Sequence, residues 1–343
     1  MDHVAIDLGG RESQICRRGP DGQIVEECRR KTRELRSYLV GVPQSRVIVE
    51  TCAEAFGVAD IALELGHEVR VVPATLAPQL GVGARKLKTD RRDARALSEV
   101  SCKIDLPSVY IPSSVARERH SIIGLRSNLV SSRTALVNSV RGFPRGQALN
   151  ETLRAAPEQM PKGLRLLYQR QGLPVPRFVE RQLEVIEALN VAIQDADKDL
   201  EAIVKADPNW RRLTTAPGVG PVTAVLFAAI IDNVNRFPKG REIGSYVGLT
   251  PGERSSSDTV HRLSITKAGP RDLRWVLVQA AWSAQIHYKD DPLVQWAQRL
   301  ALKRGKGIAT VALARKLAVV LHAMWRDGAD YQPRHQKAPP MAA

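Results

Sequence analysis

Four carboxylates stand out in the first hundred residues: Asp7, Glu50, Asp90 and Asp93. Asp7 closes the apolar run "HVAID" and Glu50 closes "RVIVE", while Asp90 and Asp93 sit three apart in "KTDRRDARAL". A carboxylate beside an apolar strand is costly unless something pairs with it. Two acids three apart on a helix project from one face. Oxygen donors of this kind suit magnesium, which takes octahedral oxygen ligands and keeps some waters. Two such ions can clamp the attacking and leaving oxygens of a phosphodiester. Singly, each acid also reads as a solvated charge, and Asp90 as a helix-start acid favoured by the macrodipole. The set at three separate loci is what favours a metal site.

A second candidate lies at residues 248–262, "GLTPGERSSSDTVHR". Gly, Pro and three serines together read as a solvated loop. A serine hydroxyl is a weak nucleophile until it is activated or the developing charge is stabilised. Arg and Lys can hold the equatorial oxygens of a phosphodiester. Here Arg254 and Arg262 flank the serines, and Lys267, Arg271 and Arg274 follow. These five are expected phosphate contacts, from charge and position. Upstream, Gly218 and Gly220 bracket a tight turn before Pro221, similar to the hairpin of helix-hairpin-helix modules, whose backbone N–H groups hold a phosphate.

The elements that must position these groups can be read from periodicity. "HVAIDLG", "SQICRRG" and "IVEECR" are strands, the last two joined by "PDGQ" as a hairpin. A helix over "TRELRSYLVG", a strand over "SRVIVET", a helix stopped by Gly66, a strand over "HEVRVVPA" and the helix carrying Asp90 complete a βββ-α-β-α-β-α order. That order is expected of an α/β, ribonuclease-H-like (resolvase-like) domain over residues 1–110. Strand ends on one edge of such a sheet converge with a helix end, as functional sites do.

Residues 111–207 read as helical. "NETLRAAPEQMPKG" is broken by prolines and reads as a connection. Val179, Leu183, Ile186, Ile193, Ala196, Leu200 and Ile203 recur at alternating three and four, with a skip near Asn190. That fits a coiled-coil seam for dimerisation, or a long helix packed within its own domain. Residues 208–330 form a mainly helical third region, and 331–343 are expected to be a disordered tail. Between Pro292 and Arg326 there are seven Lys or Arg and no Asp or Glu, a one-signed span suited to a phosphate-facing surface.

The 343 residues carry 51 Lys plus Arg against 36 Asp plus Glu, a formal charge of +15. Such a charge favours a polyanion partner through counterion release. The four cysteines form no zinc-spaced set and fit reduced thiols in a cytosolic protein. The N-terminus is not a signal peptide, and the longest apolar runs fall short of the roughly 18 residues a membrane span needs. No membrane partner is expected.

Nearly the whole chain, from about residue 4 to about 328, resembles the DEDD transposases of insertion-sequence family one-hundred-ten, recombinases guided by a bridge RNA. The resemblance rests on "IDLG" with Asp7, "VIVET" with Glu50, "KTDRRDARAL" with Asp90 and Asp93, "PGVGPVTA", "RFPKGREIGSYVGLTP", "ITKAG" with "LRWVLVQAA", and "KRGKG" with "ARKLA". It implies magnesium held by the four acids, a C-terminal transposase domain with a catalytic serine, and helical segments for assembly. It further implies dimers that pair into tetramers, with acids and serine from different subunits. A structured non-coding guide RNA pairs with donor and target DNA, and the serine takes a covalent 5′-phosphate link. The family's nucleophile lies five residues after the proline of "GLTP", which gives Ser256. Ser257 stands where a glycine is usual, so Ser255 remains a second candidate. Two other readings fit the same residues: a metal-dependent resolvase-like nuclease without serine chemistry, and a non-catalytic nucleic-acid-binding protein.

Overall fold

The computed structural model describes residues 1–76, 90–147, 155–256 and 259–333, without the side chains of 255–256 and 259–262. The chain divides into two compact units, Met1–Pro112 and Ser113–Ala343.

The first unit is built on one mixed five-stranded sheet in the order β3-β2-β1-β4-β5. Strands β1 (Asp2–Asp7), β2 (Glu12–Arg18) and β3 (Ile24–Lys31) form an antiparallel meander. Strands β4 (Ser45–Glu50) and β5 (Glu68–Val72) then add in parallel to β1. Side chains alternate between faces along each strand. Val4, Ile6, Val47 and Val49 therefore share one face, buried with Leu35 and Leu39 of α1 (Leu35–Val40) and Val58 and Ala62 of α2 (Ala55–Glu64). Ala5, Ile48 and Val72 share the opposite face, buried with Leu97 of α3 (Asp90–Lys103). The expected element order is the one observed.

The second unit combines the helical middle and the C-terminal region around two apolar clusters. Helix α4 (Ser114–Gly146) runs antiparallel to α6 (Arg177–Ala206): Arg126 pairs with Asp197, and Arg133 donates to Asn190 Oδ1 at 3.0 Å. The α6 seam is thus covered within the chain. Val179, Leu183 and Ile186 pack with Val137 and Val140 of α4 and with Leu164 of α5 (Met160–Arg170). Ile123, Leu200 and Val204 join the larger core of α8 (Pro221–Ile231). At the end of the seam Val204 is buried, and Ile203 packs half-buried against the same core. The skip at Asn190 is a polar layer, in which buried Arg133 also pairs with Glu158 at 2.6 Å. "MPKG", read as part of a connection, instead opens α5, because Pro161 occupies a first-turn position that needs no amide donor.

Helices α7 (Pro208–Leu213), α9 (Gly240–Tyr246), α10 (Arg271–His287), α11 (Pro292–Arg304) and α12 (Lys306–Asp327) complete the unit. Among the described residues α12 alone is long and apolar enough to cross a membrane, which the sequence reading did not anticipate. Half of that stretch is buried, with Leu313, Leu317 and Leu321 in the core. Tyr331, expected to open a disordered tail, is instead held in place: it donates its hydroxyl to Asp291 at 3.0 Å and its amide to Thr215 at 2.9 Å. Residues 334–343 lie outside the described residues.

Candidate functional site

The acids of the first unit are placed by strand parity and helix direction. Asp7 and Glu50 are the last residues of adjacent parallel strands, one step beyond the Ile6–Val49 register pair. Asp7 has the parity of Ala5 and Glu50 that of Ile48, so both belong to the face covered by α3. The direction of α3 follows from its hydrogen bonds. Ser101 near its end bonds His3 at the start of β1 at 2.8 Å, and Ser98 in its middle bonds Cys16 Sγ at 3.2 Å. Eight helical residues back from Ser101 is about 12 Å, and four strand residues on from His3 is about 13 Å. The first turn of α3 therefore lies over the carboxyl ends of β1 and β4. Asp93 is buried there at 3 % exposure, while Asp90 is exposed.

Asp7, Glu50 and Asp93 thus share one face and one edge of the sheet. Among the described residues no three His, Cys, Asp or Glu side chains close into a metal cage. Magnesium does not need one, since it keeps several waters and is held through one or two carboxylates. An all-oxygen donor set with one carboxylate buried fits that ion by its chemistry.

The serine stretch is not the solvated loop its composition suggests. It forms a hairpin of β6 (Pro251–Ser256) and β7 (Thr259–Ile265), with Ser255 opposite Val260 and Ser256 opposite Thr259. The β-branched Thr259, Val260 and Ile265 were the available signal, masked by the Gly, Pro and Ser before them. Ser257 lies outside the described residues, as do the side chains of Ser255, Ser256 and Arg262.

The root of the hairpin is held firmly. Arg274 Nη1 donates to Val247 O and Ala268 O, both at 2.9 Å. Lys267 N donates to Gly248 O at 3.1 Å and Thr266 N to Thr250 O at 2.9 Å. Gly269 has φ +70°, and a Cβ there would stand 1.9 Å from Tyr246 O. Arg274, expected to meet phosphate, is engaged in this root. Arg254, Lys267 and Arg271 are exposed, and Lys267 adopts a left-handed φ of +57°, an outlier of the kind found at functional sites.

Gly218 also has a local explanation. It has φ +76°, and a Cβ would stand 2.1 Å from Ala280 O of α10, so the turn packs flush on that helix. Gly220 has open space beside it. Of the one-signed span, Arg299, Lys303, Arg304, Lys306 and Arg326 are exposed. Lys316 instead lies 3.5 Å over the Trp296 ring, and burial lowers its pKa. All four cysteines are free.

Residues 210–295, from α7 into α11, match the model of the IS116/IS110/IS902 family of transposases. Similarity to curated proteins extends along nearly the whole chain. A probable family 20 transposase of Pseudomonas aeruginosa is 28% identical, covering 97% of this chain and 99% of its own length. The transposase of insertion sequence element IS1111A of Coxiella burnetii is 26% identical over 94% of this chain and 88% of its own. That of IS1328 of Yersinia enterocolitica is 26% identical over 95% and 97%. These matches make the chain similar to the IS110/IS116/IS902 family transposases, over residues 210–295 by the family model and over nearly the whole chain by the curated relatives.

Proposed function

We propose that this transposase cuts and rejoins DNA through a covalent link to Ser256, assisted by magnesium at Asp7, Glu50, Asp90 and Asp93 and directed by a structured guide RNA. The observation that carries the reading is the gathering of Asp7, Glu50 and Asp93 at one sheet edge, in a chain whose second unit presents serines on a hairpin among exposed cations. The strand order β3-β2-β1-β4-β5, with its antiparallel meander and parallel pair, supports a ribonuclease-H-like first unit. Bound magnesium would supply Lewis-acid stabilisation of charge on the phosphoryl oxygens. The Ser256 hydroxyl forms the new bond to phosphorus, and the 3′ oxygen leaves, so the DNA 5′ end stays on the protein. Arg254, Lys267 and Arg271 neutralise the phosphate oxygens, and the +15 chain attracts both nucleic acids. The α6 seam is buried within one chain, so assembly into dimers and tetramers uses other surfaces.

The test is covalent trapping with labelled DNA in magnesium, followed by denaturation. Wild type and Ser255→Ala retain label on the protein and Ser256→Ala does not. An adduct in Ser256→Ala removes that serine from the reaction. Cleavage without any adduct favours the nuclease reading, in which the hairpin is structural.

A further inference from the structure

Helix α3 is tied to the sheet at three levels. Ser101 bonds β1 at its last turn and Ser98 bonds β2 in its middle. At its first turn the tie is Glu27 of β3, a side chain only 12% exposed. Arg91 donates to Glu27 Oε2 through Nη2 at 2.8 Å and Nε at 3.2 Å. Arg95 engages both carboxylate oxygens, with Nη2 at 2.5 Å from Oε2. The two arginines are four apart and share one helix face, so one carboxylate clasps the helix start at its first and second turns. Their guanidiniums, Arg95 above all, hold the Glu27 carboxyl down to about 2, so it is charged at any working pH. Helix first turns otherwise fray, because their amides lack intrahelical partners. Asp90 and Asp93 sit in this turn.

We infer that Glu27 is a positioning residue, whose grip on Arg91 and Arg95 sets Asp90 and Asp93 over the ends of β1 and β4 for the cation. The inference rests on the magnesium reading above. Groups that orient metal ligands typically carry 10- to 100-fold in metal affinity.

The experiment uses the intact chain in two readouts: the magnesium concentration giving half-maximal thermal stabilisation, and amide hydrogen exchange in EDTA. Glu27→Gln is expected to raise the magnesium midpoint about tenfold or more, with faster exchange confined to the amides of residues 94–97, which donate to the first-turn carbonyls. Arg91→Gln alters an exposed side chain and leaves Arg95 in place, so it should fold normally and shift the midpoint less, in the same direction. Wild-type midpoint and wild-type exchange in Glu27→Gln overturn the proposal. A wild-type chain indifferent to magnesium removes the metal reading beneath it, and faster exchange at residues 94–97 in Glu27→Gln would then still establish the anchor.

Discussion

Ser101, in the last turn of α3, and His3, in the second position of β1, are joined by a 2.8 Å hydrogen bond. With the Ser98–Cys16 bond one turn earlier in the helix and, through Cys16, opposite Ala5, that contact orients the helix antiparallel to the strand. The acids at the helix start are thereby carried to the end of the strand where Asp7 and Glu50 lie, about 12 Å away.

Asp7→Asn removes one charge from this edge while keeping the side chain's size. DNA cleavage should fall roughly 100-fold or more, as when a group that stabilises transition-state charge is lost, and RNA binding should hold. Single-turnover cleavage beside filter binding measures both, and normal cleavage by the variant would refute a metal role for Asp7.

Arg271 and Arg274 should separate cleanly. Arg271→Ala, at an exposed site, should weaken DNA binding and lower the salt slope by about one counterion with melting unchanged. Arg274→Ala leaves Val247 O and Ala268 O without their guanidinium and should cost about 1–3 kcal/mol of stability. Salt titrations and urea unfolding of the two variants decide. Equal stability in both would mean that the root does not depend on Arg274.

Gly218→Ala places a Cβ 2.1 Å from Ala280 O in a left-handed backbone. A loss of about 3 kcal/mol is expected from strain and overpacking together, read as a lower urea midpoint. An unchanged midpoint would show that the turn and α10 can separate without cost.

His120 Nε2 lies 2.6 Å from Asp272 Oδ2, joining α4 to α10. Asp272 raises the His120 pKa, and His120 in turn lowers that of Asp272. The His120 contribution is full below its unfolded value of about 6.5 and fades as pH rises through the raised folded value. The Asp272 contribution is present above its unfolded value of about 3.9 and fades as pH falls through the lowered one. Melting temperature should therefore drop as pH rises above about 6.5 and through the raised folded value, by an amount that His120→Gln abolishes. An identical profile in the variant would rule the pair out.

Much of the first unit was legible because its strands alternate and its turns carry Gly, Pro and Asp in expected places. Asp7 and Glu50 were legible because each ends an apolar run, and Asp90 and Asp93 because they sit three apart in a helical stretch. Two features of the second unit were not. Ser255 and Ser256 hid a strand behind loop-like composition, since pairing with β7 overrides local preference. The partner of the α6 seam could not be identified, because periodicity reports an apolar face and not what covers it. Asn190 broke the repeat for a reason held 57 residues away, in Arg133.

The hairpin root has a mechanical consequence. From Pro251 to Ser256 the strand spans five residue steps, roughly 16 Å of lever arm. A tilt of about 5° at the root would displace the tip by roughly 1.4 Å, on the scale at which a misplaced reacting group costs about 100-fold in rate. Gly248, Gly269 and Arg274 should consequently tolerate less variation than side chains along the arm, and a serine hairpin transplanted without them would lose its aim before its fold.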